Sequence, residues 1–318
     1  MSIKRVSVVV TTYNRDDFLL EALSSLASQT TPLQEVVVVD DGGLGSARQI
    51  VEEFGANFRY VWQSNAGQQC ARNLGVREST GEWIAFLDDD DLWEPTRNDF
   101  ISELIANDHV NLISGDFRKF TARGGLLESV FEEFDRHAPE FWQGIDRPAG
   151  KNSSVVGKFP TDRLFPVYPF WPSTLVIRRE LFTRIGGWDV SLRGVKSEDG
   201  DFIFRAIKAG MLGIIWAPSV RDRCHPGNDA GDEFQVALGR IKIWEHLLSR
   251  NDLEEIERVA ISSAITRGIS EIHWSAFAKR NYLMVTELAK RIGWKNLSFS
   301  QRVRTVVAKM LGWNGQSI

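Results

Sequence analysis

Short apolar runs alternate with longer amphipathic ones through the first 117 residues of the chain. Val6-Ser7-Val8-Val9-Val10 is rich in β-branched residues and predicts a strand. Within residues 16–28, Phe18, Leu19, Ala22, Leu23 and Leu26 fall on one face of a helix. The same reading predicts strands over 35–39, 58–62 and 83–87, with helices over 46–54 and 67–78 between them. Parallel strands need crossover helices, so this alternation predicts an α/β fold whose sheet is largely parallel and covered on both faces.

The pattern weakens over residues 122–168, which are aromatic, mixed in charge and dotted with Gly and Pro. Long loops or short strands are expected there, of the kind that form lids or substrate walls. Order returns with a strand over 173–177 and a helix over 179–185. A second helix, opened by Lys196-Ser197-Glu198-Asp199-Gly200-Asp201, runs to about residue 209, and a strand follows over 211–217. Beyond residue 232 the pattern is helical throughout. The division expected is therefore an α/β region over 1–230 and a C-terminal helical region over 231–318.

Polar groups follow several predicted strands: Thr11-Thr12-Tyr13-Asn14, Asp40-Asp41, Gln63-Ser64-Asn65 and Asp88-Asp89-Asp90-Asp91. In a parallel sheet these ends gather on one edge, which is the ligand crevice of open α/β folds. The acid run is the most informative of them. Four adjacent carboxylates repel one another, so a divalent cation or a metal-bound phosphate is their natural partner; a solvated turn is the plainer reading. An EF-hand is excluded, because counting from Asp88 puts Leu92 and Trp93 where that loop needs an oxygen ligand and Gly.

Composition adds bounds. The chain is 43% hydrophobic and 25% charged, as ordinary globular proteins are. A net charge of −4 and the lack of a basic stripe in the first two-thirds argue against nucleic-acid binding. Two cysteines, Cys70 and Cys224, suit a reducing, cytoplasmic setting rather than a disulfide framework. No apolar run reaches the ~20 residues that span a bilayer. Charge is uneven: from Trp274 to Ile318 there are eight Lys or Arg and one acid, a net +7 that leaves −11 on the rest. Trp274, Trp294 and Trp313 punctuate that tail. It reads as a solvated helical face packed on the preceding domain. Peripheral contact with an anionic inner-membrane surface is the alternative.

The motifs, in order, resemble those of family 2 glycosyltransferases. Ser7-Val8-Val9-Val10-Thr11-Thr12-Tyr13-Asn14-Arg15 resembles the first strand of that family, as do Val39-Asp40-Asp41-Gly42, Asn65-Ala66-Gly67 and Ala71-Arg72-Asn73 in their places. The stretch from Gly81 to Trp93 resembles its strand and DxD motif, and Gly186-Gly187-Trp188-Asp189 and Glu198-Asp199 its acceptor side. The resemblance covers about residues 5–228, is poor over 122–168 and excludes the C-terminal helices.

It implies a GT-A fold: a Rossmann-like, mixed but mainly parallel sheet with flanking helices, here with a C-terminal helical extension. Residues 1–117 would be the nucleotide-sugar-binding half and 118–230 the acceptor-binding half. It also implies inverting transfer of a sugar from a nucleotide-diphosphate donor, with UDP expected, to a glycan or lipid-linked acceptor in polysaccharide biosynthesis.

Asp40 would accept an N–H of the nucleobase, with Asp41 the alternative. Tyr13 would stack on the base, Thr11 would contact it, and Arg72 would reach the nucleotide. Asp88 and Asp90 map onto DxD: Asp88 toward the ribose, Asp90 toward Mn2+ or Mg2+, with Asp91 the alternative register and Asp89 pointing elsewhere. His225 would approach the same metal. Asp199 matches the general base, with Glu198 as alternate register; a helix start there would favour its ionised form. Asp201 and Arg205, four apart, are expected to pair structurally.

Two other readings compete: a sugar nucleotidyltransferase of similar fold and a non-catalytic sugar-nucleotide-binding module. The first needs a Gly-rich loop after strand one, where this chain has Thr11-Thr12-Tyr13-Asn14-Arg15. The second would be expected to lack DxD or the late acid. Neither the dinucleotide nor the P-loop glycine motif occurs.

Overall fold

A computed structural model describes residues 5–121, 125–225 and 233–313. Its elements, in chain order, are β1 (Val6–Thr12), α1 (Asp16–Ala27), β2 (Glu35–Asp41), α2 (Ser46–Glu52), β3 (Phe58–Gln63), α3 (Gln68–Glu78), β4 (Trp83–Asp88), β5 (Leu92–Trp93), α4 (Arg97–Ile105), β6 (Leu112–Thr121), β7 (Leu126–Ser129), α5 (Val130–His137), β8 (Ser153–Gly157), β9 (Val176–Arg178), α6 (Arg179–Arg184), α7 (Asp199–Ala209), β10 (Leu212–Cys224), α8 (Glu233–Leu248), α9 (Glu255–Ala278), α10 (Tyr282–Ile292) and α11 (Phe299–Trp313).

The chain forms two compact units. The first comprises residues 1–161, 168–194 and 199–228; the second comprises 162–167, 195–198 and 229–318.

The first unit is built on one sheet of order β3-β2-β1-β4-β9-β6-β10-β5, with β7 on β6 and β8 on β10. β1 pairs in parallel with β2 and β4, and β2 with β3, so their carboxyl ends share one edge as the strand–helix alternation requires. β9 runs antiparallel between β4 and β6, and β10 parallel to β6, which makes the sheet mixed.

Strand alternation sorts side chains to two faces. Val8, Val10, Val36, Val38, Ala85 and Leu87 pack with Leu19, Leu23 and Val51 of α1 and α2. Val37 and Val39 pack instead against Ala71 of α3.

Several elements differ from the sequence expectation. The segment 173–177 begins as a 3-10 turn, Pro172–Thr174, and only Val176–Arg178 is strand. The strand expected over 211–217 runs on to Cys224, because an irregularity between Ile215 and Val220 lets it realign on β6. Residues 125–168 hold β7, α5 and β8, and their aromatic residues form a packed cluster. Phe131, Phe141, Trp142, Phe159, Phe170 and Trp216 meet ring to ring, with centroids 4.7 to 6.5 Å apart.

The second unit is helical. α9 packs on α8, α10 and α11, and α10 on α11. His273 of α9 is buried and its Nε2 lies 3.0 Å from the Thr305 hydroxyl of α11. Among the described residues no helix is long and apolar enough to cross a membrane.

Candidate active site

The parallel strands place the polar motifs on the shared edge, and alternation decides which way each points. Thr11 shares the face of Val9, Asp41 that of Val39 and Asp88 that of Phe86; Thr12 and Asp40 take the opposite face. The hydrogen bonds agree. Asp41 accepts from the Ala66 and Gly67 N–H at 2.8 and 2.9 Å and from Gln63 Nε2 at 2.6 Å, so it organises the turn into α3. Asp40 accepts from the Gly43 N–H at 2.6 Å and the Tyr60 hydroxyl at 2.8 Å. Burial and the bond to Asp40 push the Tyr60 hydroxyl up to about 12, so it stays a donor. Each Asp40 oxygen keeps a lone pair, whereas Asp41 Oδ1 is filled by two donors.

Beyond β1, Asn14 adopts φ +53° and its Oδ1 accepts the Leu44 N–H at 3.1 Å. The ring of Tyr13, in the same loop, is half exposed, as a stacking surface for a base must be.

The acid run is held from several sides, and its members have different fates. Asp88 Oδ1 accepts from Arg72 NH2 at 2.6 Å and Gln68 Nε2 at 2.9 Å. Asp89 turns inward to the Thr12 hydroxyl at 2.7 Å and Arg15 NH1 at 3.1 Å; burial pushes it up to about 7, against the pull of Arg15. Asp90 Oδ2 meets Arg15 NH1 at 2.9 Å and His225 Nε2 at 3.1 Å. Asp91 is buried, accepting from the Ser173 hydroxyl at 2.6 Å and the Arg223 N–H at 3.2 Å. Burial and the neighbouring Asp222 raise it well above the carboxylate range. Ser173 Oγ also accepts the Asp88 N–H at 3.1 Å, so one serine of the 3-10 turn pins both ends of the run.

Arg72 is 2% exposed. Its guanidinium lies 4.4 Å from the Trp188 ring, and Trp188 stacks on Phe202 of α7 at 3.9 Å. Among the described residues, Arg72 Nε and NH1 have no hydrogen-bond partner, and neither does the buried Thr11 hydroxyl. Buried donors left open beside a carboxylate mark where a ligand would supply the acceptors.

The Gly-Gly-Trp-Asp motif is clamped to α3: Asn73 Nδ2 donates to the Trp188 carbonyl at 2.8 Å, and the Trp188 N–H returns to Asn73 Oδ1 at 3.0 Å. Arg193 donates to Asn65 Oδ1 at 2.9 Å, tying the segment before α7 to the Asn65–Gly67 turn.

α7 starts at Asp199 and leaves Glu198 outside. The net effect on Asp199 is opposite to that expected from a helix start alone. Burial pushes its carboxyl up to about 6; Arg72 and the N–H groups of Asp199 and Gly200 oppose the rise, and Asp88 adds to it. Asp201 and Arg205 pair at 2.5 Å, and Arg205 also donates to the Ile185 and Gly187 carbonyls, fixing α7 to the end of α6.

The structure therefore joins Arg72, Asp88 and Asp199 in one electrostatic cluster and Asp90 with His225 in another. Residues 226–228 of the histidine motif lie outside the described residues. Among the described residues no group of three or more His, Cys, Asp or Glu forms a ready-made metal site. A carboxylate oxygen facing an imidazole nitrogen still fits a cation whose remaining ligands come from a diphosphate and water.

Sequence reasoning missed Arg15, which bridges Asp89 and Asp90, and Tyr60 on Asp40. Arg15 sits in a quoted motif, but only the fold shows which acids it meets. Asp222 gave no local signal at all.

Residues 7–143 match the model of glycosyl transferase family 2. An uncharacterized glycosyltransferase of Rickettsia typhi is 24% identical over 97% of this chain and 95% of its own length. One from Mycoplasma pneumoniae is 28% identical over 86% and 91%. One from Rickettsia felis is 30% identical over 41% of this chain, a match spanning only 22% of that longer protein.

Among solved structures, S. aureus TarS 1-349 in complex with UDP-GlcNAc superposes with TM-score 0.64 at 18% identity, over 96% of this chain and 89% of that one. Mannosyltransferase PcManGT from Pyrobaculum calidifontis, in complex with GDP-Man and Mn2+, gives 0.57 at 17% identity, over 96% and 84%. The mainly parallel sheet with its flanking helices, the ordered motifs on one sheet edge and these likenesses converge: the fold is GT-A, and residues 7–143 are similar to glycosyl transferase family 2.

Proposed function

We propose that this chain moves a sugar from a UDP-sugar to a hydroxyl of a glycan or lipid-linked acceptor, inverting the anomeric centre. The observation that carries the reading is the Arg72–Asp88–Asp199 cluster, with buried guanidinium donors left open beside two carboxylates. Arg72 offers Nε and NH1 to oxygens of the donor, and Asp88 receives the ribose or sugar side. Asp40 accepts an N–H of the base through its remaining lone pairs, Thr11 contacts that base, and Tyr13 stacks on it. The acceptor oxygen attacks C1 as the C1–O bond to the diphosphate breaks. The hydroxyl proton passes to Asp199, and the bonding pair leaves with the diphosphate. One base suffices, because a diphosphate departs without protonation when its charge is balanced.

Asp90 and His225 are the residues that would hold a divalent ion, Mn2+ or Mg2+. Such an ion supplies charge neutralisation at the departing diphosphate. Polysaccharide assembly on the cytoplasmic side of a membrane is the setting this reading implies. The presence of UDP-GlcNAc in the TarS complex and GDP-Man in the PcManGT complex makes those two donors the first to test.

Titration calorimetry with each donor in Mn2+ decides the nucleotide. UDP-GlcNAc is expected to bind at least tenfold tighter than GDP-Man, and Asp40→Asn to weaken it about tenfold, roughly one charge-assisted hydrogen bond, with little change in melting temperature. Equal affinity of Asp40→Asn and wild type for UDP-GlcNAc would remove Asp40 from the base site, and tighter GDP-Man would overturn the uridine assignment.

A further inference from the structure

α11 carries an apolar stripe that the fold leaves open. Phe299, Val303, Val306 and Met310 are 83%, 46%, 39% and 64% exposed, and their spacing of four, three and four residues sets them in one row along the helix. The opposite side of α11 is accounted for within its own unit: Gln301, Thr305 and Ala308 are buried, and Thr305 faces His273 of α9. Trp294, half exposed in the turn before α11, extends the row at its N-terminal end. A row of this kind is small, and its neighbouring charges decide what could cover it.

Charge identifies the occupant. Arg302 and Lys309 fall along one edge of the row on the helical wheel, and Lys295 precedes it. Arg302 donates to the Trp294 and Lys295 carbonyls, its guanidinium 5.9 Å from the Trp294 ring, so cation and indole are held side by side. From Leu288 to Ile318 the sequence has no Asp or Glu. A purely cationic apolar row suits an anionic bilayer surface, where the side chains enter the headgroup–acyl boundary, the lysine and arginine stay among the phosphates, and tryptophan sits at the interface. It suits a second copy of the chain poorly. The row is ~16 Å by ~10 Å, far below the ~800 Å² each partner of a stable dimer buries, and two such rows would bring like charges together.

We propose that α11 docks the protein on an anionic lipid surface, with Phe299, Val303, Val306 and Met310 inserted and Lys295, Arg302 and Lys309 facing the headgroups.

The test is flotation of the full chain with vesicles of phosphatidylcholine alone or with about 30% phosphatidylglycerol, at low salt and at about 0.5 M. Binding is expected to the anionic vesicles at low salt and to be tenfold or more weaker on neutral vesicles or at high salt. Phe299→Ser with Met310→Ser should reduce it a further tenfold or more while leaving the melting temperature and donor binding unchanged, and Arg302→Gln with Lys309→Gln should erase the preference for anionic lipid. Trp294 fluorescence should shift to the blue on binding. Failure to bind anionic vesicles at low salt overturns the proposal, as does wild-type binding by Phe299→Ser/Met310→Ser. A dimer in sedimentation velocity that this double variant abolishes, without vesicle binding, would assign the row to a second copy instead.

Discussion

Asp199 illustrates how one side chain acquires its chemistry from three sources. A helix start favours its ionised form, Arg72 favours it further, and burial overrides both to bring the carboxyl up to about 6. A base works when deprotonated, so kcat/KM should climb with pH through about 6 and level off above it. Asp199→Asn keeps size and hydrogen bonding but removes basicity. Transfer should fall ~10²-fold or more, with donor affinity almost unchanged, because in the proposed mechanism the base meets the acceptor. Glu198→Gln should have far less effect, since Glu198 precedes the helix. Rate and donor affinity measured on both variants decide the register: a dead Glu198→Gln beside an active Asp199→Asn would reverse it, and two active variants would make the pair structural.

At the scale of elements, what was legible in the sequence follows from locality. β1 to β4 and the helices between them were readable because β-branched runs and amphipathic periodicity are local signals, and parallel pairing then brings Thr11, Asp40 and Asp88 to one edge. The strand expected over 173–177 was misjudged at its start because Pro172–Thr174 forms a 3-10 turn whose Ser173 and Thr174 side chains bond to Asp91 and the Trp171 carbonyl. Those contacts are tertiary and leave no periodicity. The 125–168 stretch packs through aromatic pairs distant in sequence, again without a period. Likewise Arg72 reads as a surface helix arginine until Trp188, 116 positions later, is placed against its guanidinium. That placement depends on Gly187. It has φ +68°, and a Cβ there would lie 2.8 Å from Asn73 Oδ1 and 3.0 Å from the Phe182 ring. Gly187→Ala should therefore cost about 1–3 kcal/mol of stability and loosen the Asn73–Trp188 clasp. Denaturant unfolding alongside donor affinity measures both effects. An unchanged midpoint would mean that the clasp does not fix this turn.

For the molecule as a whole, the acid run is balanced within the chain by cations brought from distant positions: Arg72 on Asp88, Arg15 on Asp89 and Asp90, and Arg223 through its backbone and side chain on Asp91 and the Asp90 carbonyl. A cation bound at Asp90, as proposed, would compete with Arg15 for that carboxylate. On the proposed reading, metal and donor binding depend on each other, because the diphosphate would supply the ligands that Asp90 and His225 do not. Ligand that binds only the folded state stabilises it by ~2.7 kcal/mol at a hundredfold excess over Kd, enough to move the melting of the sheet unit by several degrees. UDP-GlcNAc with Mn2+ is expected to give that shift, UDP-GlcNAc in EDTA much less, and Mn2+ alone little. Asp90→Ala should melt close to wild type without ligand, since Asp90 is a partly exposed surface partner of Arg15 and His225, yet lose the Mn2+-dependent part of the shift. An equal shift with EDTA and with Mn2+ in the wild type would leave Asp90 and His225 as a hydrogen-bonded pair that holds the acid run in place, and the charge of the leaving diphosphate would then fall to Arg72.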